Sequence, residues 1–392
     1  MASFTASARV RALPQNFWGA MDAEVARLRA EPGAPMIDVS KGNPDLPTPE
    51  HIVRAMQCAV ADPANHRYPS YAGRPAVREA IAHRYRRDHG IEIDPATEVA
   101  VFHGSHEALM AAVLGLADPG DRVIVPDPGY PIYVSAIDLA GARVHPVPLS
   151  EPDYQPDFAA LDGIDRAAVV LLNYPHNPTG ALAADDTFPR ALDASERLGA
   201  AFVHDFAYAS LGFEAPPRSA LSADPQKERT VEIQTLSKTY SMAGWRFGFA
   251  AGNASIIAAM TRYQSHAFST IFGAMQDAAA AALSGDQSAA RELVDVYRRR
   301  RDLVVAGLRE IGWDVIEPEG TFFVWARVPG GGDAVRFADR LRTEARVAVA
   351  PGDGFGPRGR SHVRLGLVHD DAVLAEMIER LAALTLPGRP PR

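Results

Sequence analysis

Lysine is nearly missing from this chain. Only Lys41, Lys227 and Lys238 occur among 40 lysine and arginine residues, so almost every cationic position is an arginine. An amine can lose its proton and condense with a carbonyl, whereas a guanidinium stays protonated. Each retained lysine is therefore a candidate for chemistry that arginine cannot perform. Cysteine is scarcer still: Cys58 stands alone, which excludes an intrachain disulfide and a cysteine zinc cluster and suits a reducing compartment. There is no basic surplus either, since the formal net charge is −8, and this argues against a nucleic-acid binder. The one basic run, Arg298 to Arg301, follows Glu292 and Asp295 at helical spacing and reads as a solvated, ion-paired helix face. No apolar run approaches the roughly 18 residues of a membrane span, and the opening MASFTASARVRALPQ holds no apolar core of signal-peptide length. The expectation is a cytoplasmic enzyme of 392 residues, long for one domain and comfortable for two.

What the chain does contain falls into three stretches. After a polar start, Phe17, Met21, Val25 and Leu28 form one apolar stripe of a helix, and a short strand from Met36 to Val39 runs into the Pro- and Gly-rich loop GNPDLPTP. Helices are expected over Pro49 to Ala61 and Ala76 to Arg87. From residue 98, apolar runs alternate with helices: Glu98 to Phe102, Asp121 to Pro126, Arg143 to Val147, Ala167 to Leu172, Ala200 to His204, Thr230 to Thr235 and Phe247 to Ala251. Runs apolar on both faces and separated by helices predict an α/β fold with a mostly parallel sheet covered by helices. Ligands of such sheets lie beyond the carboxyl ends of the strands. Near residue 290 the pattern changes to a long charged helix, Gln287 to Ile311, then short alternating segments (Trp313 to Ile316, Thr321 to Val328) and a helix near Asp333 to Ala345, a smaller α+β domain. The expected division is 1–45 (an N-terminal arm and part of the small domain), 46–288 (the large domain) and 289–392 (the small C-terminal domain).

Lys238 sits where the strand-like run ending at Thr235 turns into SKTYSMAGWRFGFAAGN, with Arg246 eight residues on. An amine beside small and hydroxyl residues, followed by an arginine, can hold an aldehyde cofactor that carries an anionic group. Four further stretches hold candidates just after apolar runs. HGSHEALMAAVLGL opens a helix at Gly104, Ser105 and His106, whose backbone amides make an anion site or simply an ordinary capped start. PDPGYPIY presents Tyr130, either a stacking ring or packing. NYPHNPTG holds Asn177 rigidly between prolines. HDFAYASLGF ends an apolar run on Asp205, a costly place for a carboxylate unless it meets a cation. Near the carboxyl end, VAVAPGDGFGPRGRSHVRLGL places Arg364 in a strand pattern, suited to a bidentate carboxylate clamp.

These segments, from GNPDLPTP to VRLGL and in this order, resemble the class I/II aminotransferases of fold type I, which depend on pyridoxal phosphate. Phe268, Ser269 and IFGAMQ bring the resemblance nearest the alanine and diaminopimelate-type aminotransferases. The resemblance implies that Lys238 forms the aldimine with the cofactor and later acts as general base. It implies that Asp205 faces the pyridine nitrogen, that Asn177 and Tyr208 hydrogen-bond the phenolic oxygen, and that Tyr130 stacks on the ring. Gly104, Ser105, His106, Thr235, Ser237 and Arg246 are implied as phosphate contacts. His106 departs from the amide or lysine often found there, which leaves its main-chain amide as the contact. Tyr68 matches a tyrosine that reaches the phosphate of a neighbouring subunit, implying a homodimer with shared sites. Arg364, Gly42, Asn177 and Tyr130 are implied at the substrate.

The expected reaction moves an amino group between an L-amino acid and a 2-oxo acid, with no metal. The same anchors also serve β- or γ-elimination, replacement or cyclisation, so those reactions stay open. A cofactor-free binding protein would have lost Lys238 or Asp205, and both are present. Lys41, beside Gly42, suits either an acidic or phosphorylated substrate side chain or plain surface.

Overall fold

The computed structural model describes residues 4–384. Strand β1 (Ile37–Asp38) leads into the loop that reaches the helix Glu50–Ala61. The central sheet contains β2 (Val99–Phe102), β3 (Arg122–Asp127), β4 (Arg143–Ser150), β5 (Gln155–Pro156), β6 (Val169–Asn173), β7 (Ala201–Asp205), β8 (Thr230–Thr235) and β9 (Gly248–Gly252). Their spatial order is β2-β9-β8-β7-β6-β3-β4-β5. Strands β8, β7, β6, β3 and β4 run parallel, β9 is antiparallel to both its neighbours, and β5 closes one edge antiparallel to β4. Every residue of β2, β6, β8 and β9 is buried, as expected of strands covered on both faces.

The expected runs and the observed strands differ mainly at their carboxyl ends. β3, β6 and β7 continue one residue further than the apolar pattern, onto Asp127, Asn173 and Asp205. The ladder carries these polar residues because their backbones still pair, as in Asn173↔Asp205. Helix limits follow local chemistry. Pro75 opens the helix Pro75–His89, where its missing N–H costs nothing, and Gly90 closes it at φ 68°.

Beyond the central sheet, β10 (Phe323–Arg327), β11 (Val347–Ala348), β12 (Ala350–Pro351) and β13 (His362–Gly366) make two small sheets. One has the order β10-β13-β12; in the other β1 pairs parallel with β11, tying the N-terminal segment to the C-terminal part. The helix Ser288–Glu310 buries Leu293, Tyr297, Val304, Val305 and Leu308 against Phe322, Val324, Leu365 and Leu374. Met21, Val25 and Leu28 of the helix Phe17–Arg29 are buried, and Phe17 meets Phe355 edge-on at 5.8 Å.

Two expectations are corrected here. Trp313 to Ile316 forms no strand; only Val315 makes an isolated bridge, to Ala326. Arg298 to Arg301 is a solvated face only in its first half: Arg298 pairs with Asp295 at 3.2 Å and Arg299 is exposed, whereas Arg300 and Arg301 are buried. Arg300 donates to both carboxylate oxygens of Asp45 at 2.8 Å and to the Leu367 carbonyl. Arg301 pairs with Glu214 at 2.8 Å and lies over Phe213. The physical reason is reach: a long side chain on the apolar side of a helix can bury its stem and find a carboxylate on another segment, which spacing within one helix does not reveal.

Candidate active site

The carboxyl ends of β3, β6, β7 and β8 open on one cavity of about 280 Å³, lined among others by Tyr130, Asn177, Asp205, Tyr208, Lys238 and Arg364. Gly42, Ser105 and Phe323 extend the wall onto the N-terminal loop, the helix start and β10.

Asp205 forms the floor. It ends β7 with 4% exposure, its Oδ2 accepts a 2.7 Å hydrogen bond from the Tyr133 hydroxyl, and its Oδ1 has no partner. Burial pushes its carboxyl up to about 6, against stabilisation of the charge by Tyr133 and by nearby cations. A buried carboxylate oxygen without a donor is costly to keep, and a protonated ring nitrogen would satisfy it.

Lys238 lies in the short helix Leu236–Thr239, capped by the Thr235 side chain accepting from the Ser237 amide. Its Nζ donates to the Gly42 carbonyl at 2.6 Å and stands 5.3 Å from the Phe322 ring centre. Desolvation, then repulsion from Arg364 and Arg246, lowers the amine to about 7, with Asp205 pulling the other way. A large fraction is therefore unprotonated at neutral pH, the state a nucleophilic amine requires.

Arg364, on β13, is 1% exposed. Its Nη1 donates to Asn177 Oδ1 and its Nη2 to the Ser40 carbonyl, each at 2.8 Å, while Nε has no partner. Phe323, at 3.9 Å from the guanidinium, and Trp18 and Phe355, each at 4.8 Å, box it in. Burial among these rings lowers it to about 10. Asn177 is fixed in turn: its backbone amide donates to Asn173 Oδ1 at 2.8 Å, and with its Oδ1 taken by Arg364 the amide nitrogen is left to donate. Tyr208 packs edge-on against Phe322 and Phe323, and burial raises its hydroxyl. Tyr130 stands edge-on to Tyr133, with ring centres 5.8 Å apart. Gly42 has no room for a side chain, since a Cβ would lie 2.6 Å from Phe323 Cζ.

The remaining expected residues gather beside this cavity or lie away from it. Gly104 adopts φ 90° at the start of the helix Ser105–Leu116, which has no side-chain cap, so its first amides face outward from the chain end. Gly248 presses on this point, where a Cβ would come within 2.6 Å of Gly104 C and Ser105 N. The exposed guanidinium of Arg246 donates to the His103 carbonyl at 3.4 Å and would meet a Cβ on Gly104. Thr235, paired in register with Gly248, keeps its hydroxyl on the Phe247 carbonyl and 2.8 Å from Ser237 Oγ. Helix amides, hydroxyls and a guanidinium thus surround one point, a chemistry suited to phosphate. His106 is exposed at the same helix start, outside the cavity wall. Tyr68 is 91% exposed and stands away from the cavity in the single chain.

Sequence reasoning missed several wall residues. Trp18 and Asp22 reach the cavity only through tertiary packing, and no local motif marks them, whereas Asn173 opens the NYPHNPTG stretch and could have been found there. Tyr133 could have been found from PDPGYPIY, three residues beyond Tyr130, as the second ring of that turn. Lys41, left between two readings, lies on the wall.

An unprotonated-leaning amine, an unsatisfied carboxylate and a boxed guanidinium around one cavity define an enzyme that performs covalent chemistry on α-amino acids with an aldehyde cofactor. Residues 34–381 match the model of the family "Aminotransferase class I and II". The L-glutamine–4-(methylsulfanyl)-2-oxobutanoate aminotransferase of Bacillus subtilis is 44% identical over 98% of this chain and 97% of its own. The LL-diaminopimelate aminotransferase of Desulforudis audaxviator is 42% identical over 97% of each. Among solved structures, substrate-bound BacF from Bacillus subtilis superposes with a TM-score of 0.95 at 37% identity, covering 100% of both chains. This chain belongs to the class I and II aminotransferase family: it is a fold type I, pyridoxal phosphate-dependent aminotransferase.

Proposed function

We propose that Lys238 is the residue that links the cofactor aldehyde and carries the transferred proton, in an enzyme moving an amino group from an L-amino acid to a 2-oxo acid. One observation carries this: the cavity brings Lys238, with its lowered amine, and Asp205, with its orphaned Oδ1, to one place under Arg364. Bound pyridoxal phosphate supplies an electron-accepting ring conjugated to the substrate α-carbon. Asp205 holds the ring nitrogen protonated, with Tyr133 orienting its carboxylate. The amide of Asn177 and the hydroxyl of Tyr208 donate to the phenolic oxygen, and Tyr130 covers the ring face. The amides at Gly104, Ser105 and His106, with Thr235, Ser237 and Arg246, hold the phosphate. Arg364 clamps the α-carboxylate, beside Asn177 and Tyr130, and Gly42 lets the loop close over it. Lys238 Nζ, on the wall of the same cavity as Arg364, is the group that would take the substrate's α-proton and hold it for return.

The test is the half-reaction. Holoenzyme mixed with amino acids and no oxo acid should convert its cofactor stoichiometrically to the amine form, and 2-oxo acids should restore it. Lys238→Ala should lose both the visible absorbance of covalently held cofactor and this conversion; retention of either would overturn the assignment.

The chain is further proposed to act as a homodimer, with Tyr68 reaching the neighbouring site; the exposed rings of Tyr68, Tyr71, Phe268 and Phe272 support this. The domain division 1–45 with 289–392 around 46–288 is proposed on the same footing, supported by the β1–β11 pairing. A cytoplasmic setting is proposed from the free, exposed thiol of Cys58. No helix among the described residues is long and apolar enough to cross a membrane.

A further inference from the structure

Five charged residues line the cavity: Asp205, Lys238, Arg364, Lys41 and Asp22. The first three have roles in the reaction just proposed, and the last two have none. Lys41 Nζ lies 2.6 Å from Asp22 Oδ1, with the two side chains 42% and 53% exposed. Behind them the buried Asp38 places its Oδ2 at 3.9 Å from Lys41 Nζ and 3.7 Å from Arg29 Nη2. Arg29, Asp38, Lys41 and Asp22 thus form a row that alternates in sign and is neutral in sum. Lys41 also stands between two residues whose carbonyls touch the reactive groups: Ser40 O accepts from Arg364, and Gly42 O accepts from Lys238. A substrate held by its α-carboxylate at Arg364 has Lys41 and Asp22 as the remaining charged groups of the wall for its side chain, with Asp38 and Arg29 behind them.

We infer that Lys41 and Asp22 read the side-chain end of the amino acid and favour an end that presents a donor and an acceptor together over a lone carboxylate. Two chemistries share that property, a primary carboxamide and a second amino-acid zwitterion. The inference rests on the transaminase reading of the site. Its physical basis is the neutrality of the row. A lone carboxylate gains the ammonium of Lys41 but meets the carboxylate of Asp22 beside it, and a lone ammonium meets the reverse. An end with both functions accepts from Lys41 and donates to Asp22 at once, so neither member is left facing a like charge. An exposed ion pair is weakly held in water, so it opens at little cost to admit such a group. Trp18, one helical turn before Asp22 and also on the wall, covers the aliphatic stem between the two ends.

Holoenzyme is tested in two ways, by half-reaction rates with glutamine, diaminopimelate, glutamate and 2-aminobutyrate, and by calorimetric binding of the α-methyl analogues of glutamine and glutamate, which have no transferable proton. Glutamine, diaminopimelate or both should exceed glutamate by about tenfold in kcat/KM. Which one does so separates the carboxamide from the zwitterion. Asp22→Asn, which leaves the row with a net positive charge, should shift the ratio about tenfold toward glutamate. Lys41→Met should lower the preferred donor about tenfold relative to 2-aminobutyrate. A wild-type preference for glutamate, or ratios unchanged in both variants, would overturn the inference. If no amino acid gives up its amino group, the transaminase reading itself fails. In that event tighter binding of the α-methyl glutamine analogue, lost in Lys41→Met, still supports the role of the pair, and equal binding overturns it.

Discussion

Lys238 shows what an unusual environment does to one amine. Its amine falls from 10.5 to about 7 because charge is poorly solvated there and two guanidiniums lie near. The apoenzyme should therefore combine with pyridoxal phosphate at a rate that rises as pH passes through about 7 and then levels off. Stopped-flow absorbance across pH 6–10 checks this, and a rise continuing beyond pH 9 would contradict it. Asp205 runs in the opposite direction. Its folded value, about 6, lies above the ordinary 3.8, so the fold favours the protonated carboxyl. The stability this contributes is complete below 3.8 and lost as pH rises through 6. Cofactor-free Asp205→Asn should thus be more stable than wild type at pH 8, by on the order of 2 kcal/mol, with the gap closing near pH 4. Denaturant unfolding at the two pH values checks the sign. The same variant should retain pyridoxal phosphate poorly. The candidate positions of Lys238 and Asp205 were legible because a lysine in an arginine-rich chain and a carboxylate ending an apolar run both stand out. Lys41 could not be decided so, since its neighbour Asp22 comes from a separate helix.

At the level of elements, the apolar runs were readable because strands buried on both faces must be apolar throughout. Their last residues were not, because Asp127, Asn173 and Asp205 are held by backbone pairing rather than by hydropathy. The buried Arg300 and Arg301 were hidden for a related reason, their carboxylate partners lying on distant segments. The contact of β9 with the helix Ser105–Leu116 shows how closely two elements can be fitted. A methyl group on Gly248 would overlap the Gly104–Ser105 peptide and displace the helix start. Gly248→Ala should cost about 1–3 kcal/mol of stability and weaken pyridoxal phosphate binding by at least about tenfold, since the amides proposed to hold the phosphate move with that peptide. Fluorescence titration of the apoenzyme measures the second effect. Unchanged affinity would remove the helix start from the cofactor site.

For the whole molecule, the question is whether one chain is enough. Tyr68 is 91% exposed in the single chain, an unusual place for a ring unless a second surface covers it. Light scattering should give twice the chain mass. Tyr68→Ala should weaken cofactor binding, and mixing Tyr68→Ala with Lys238→Ala chains should restore one intact site in each mixed dimer, which at random exchange is about a quarter of the wild-type activity. No recovery after exchange of subunits would rule out the shared site.

The scarcity of lysine also makes the protein unusually easy to label. Besides the terminal amine, only three side-chain amines exist. Lys227 is engaged by Glu98 at 3.0 Å and by the Glu92 carbonyl at 2.9 Å, and the other two line the cavity. An amine-acylating reagent, usually among the least selective of protein probes, should at neutral pH behave here almost as an affinity label. The mass added at Lys238 in intact protein would then count the fraction of sites the cofactor leaves unprotected.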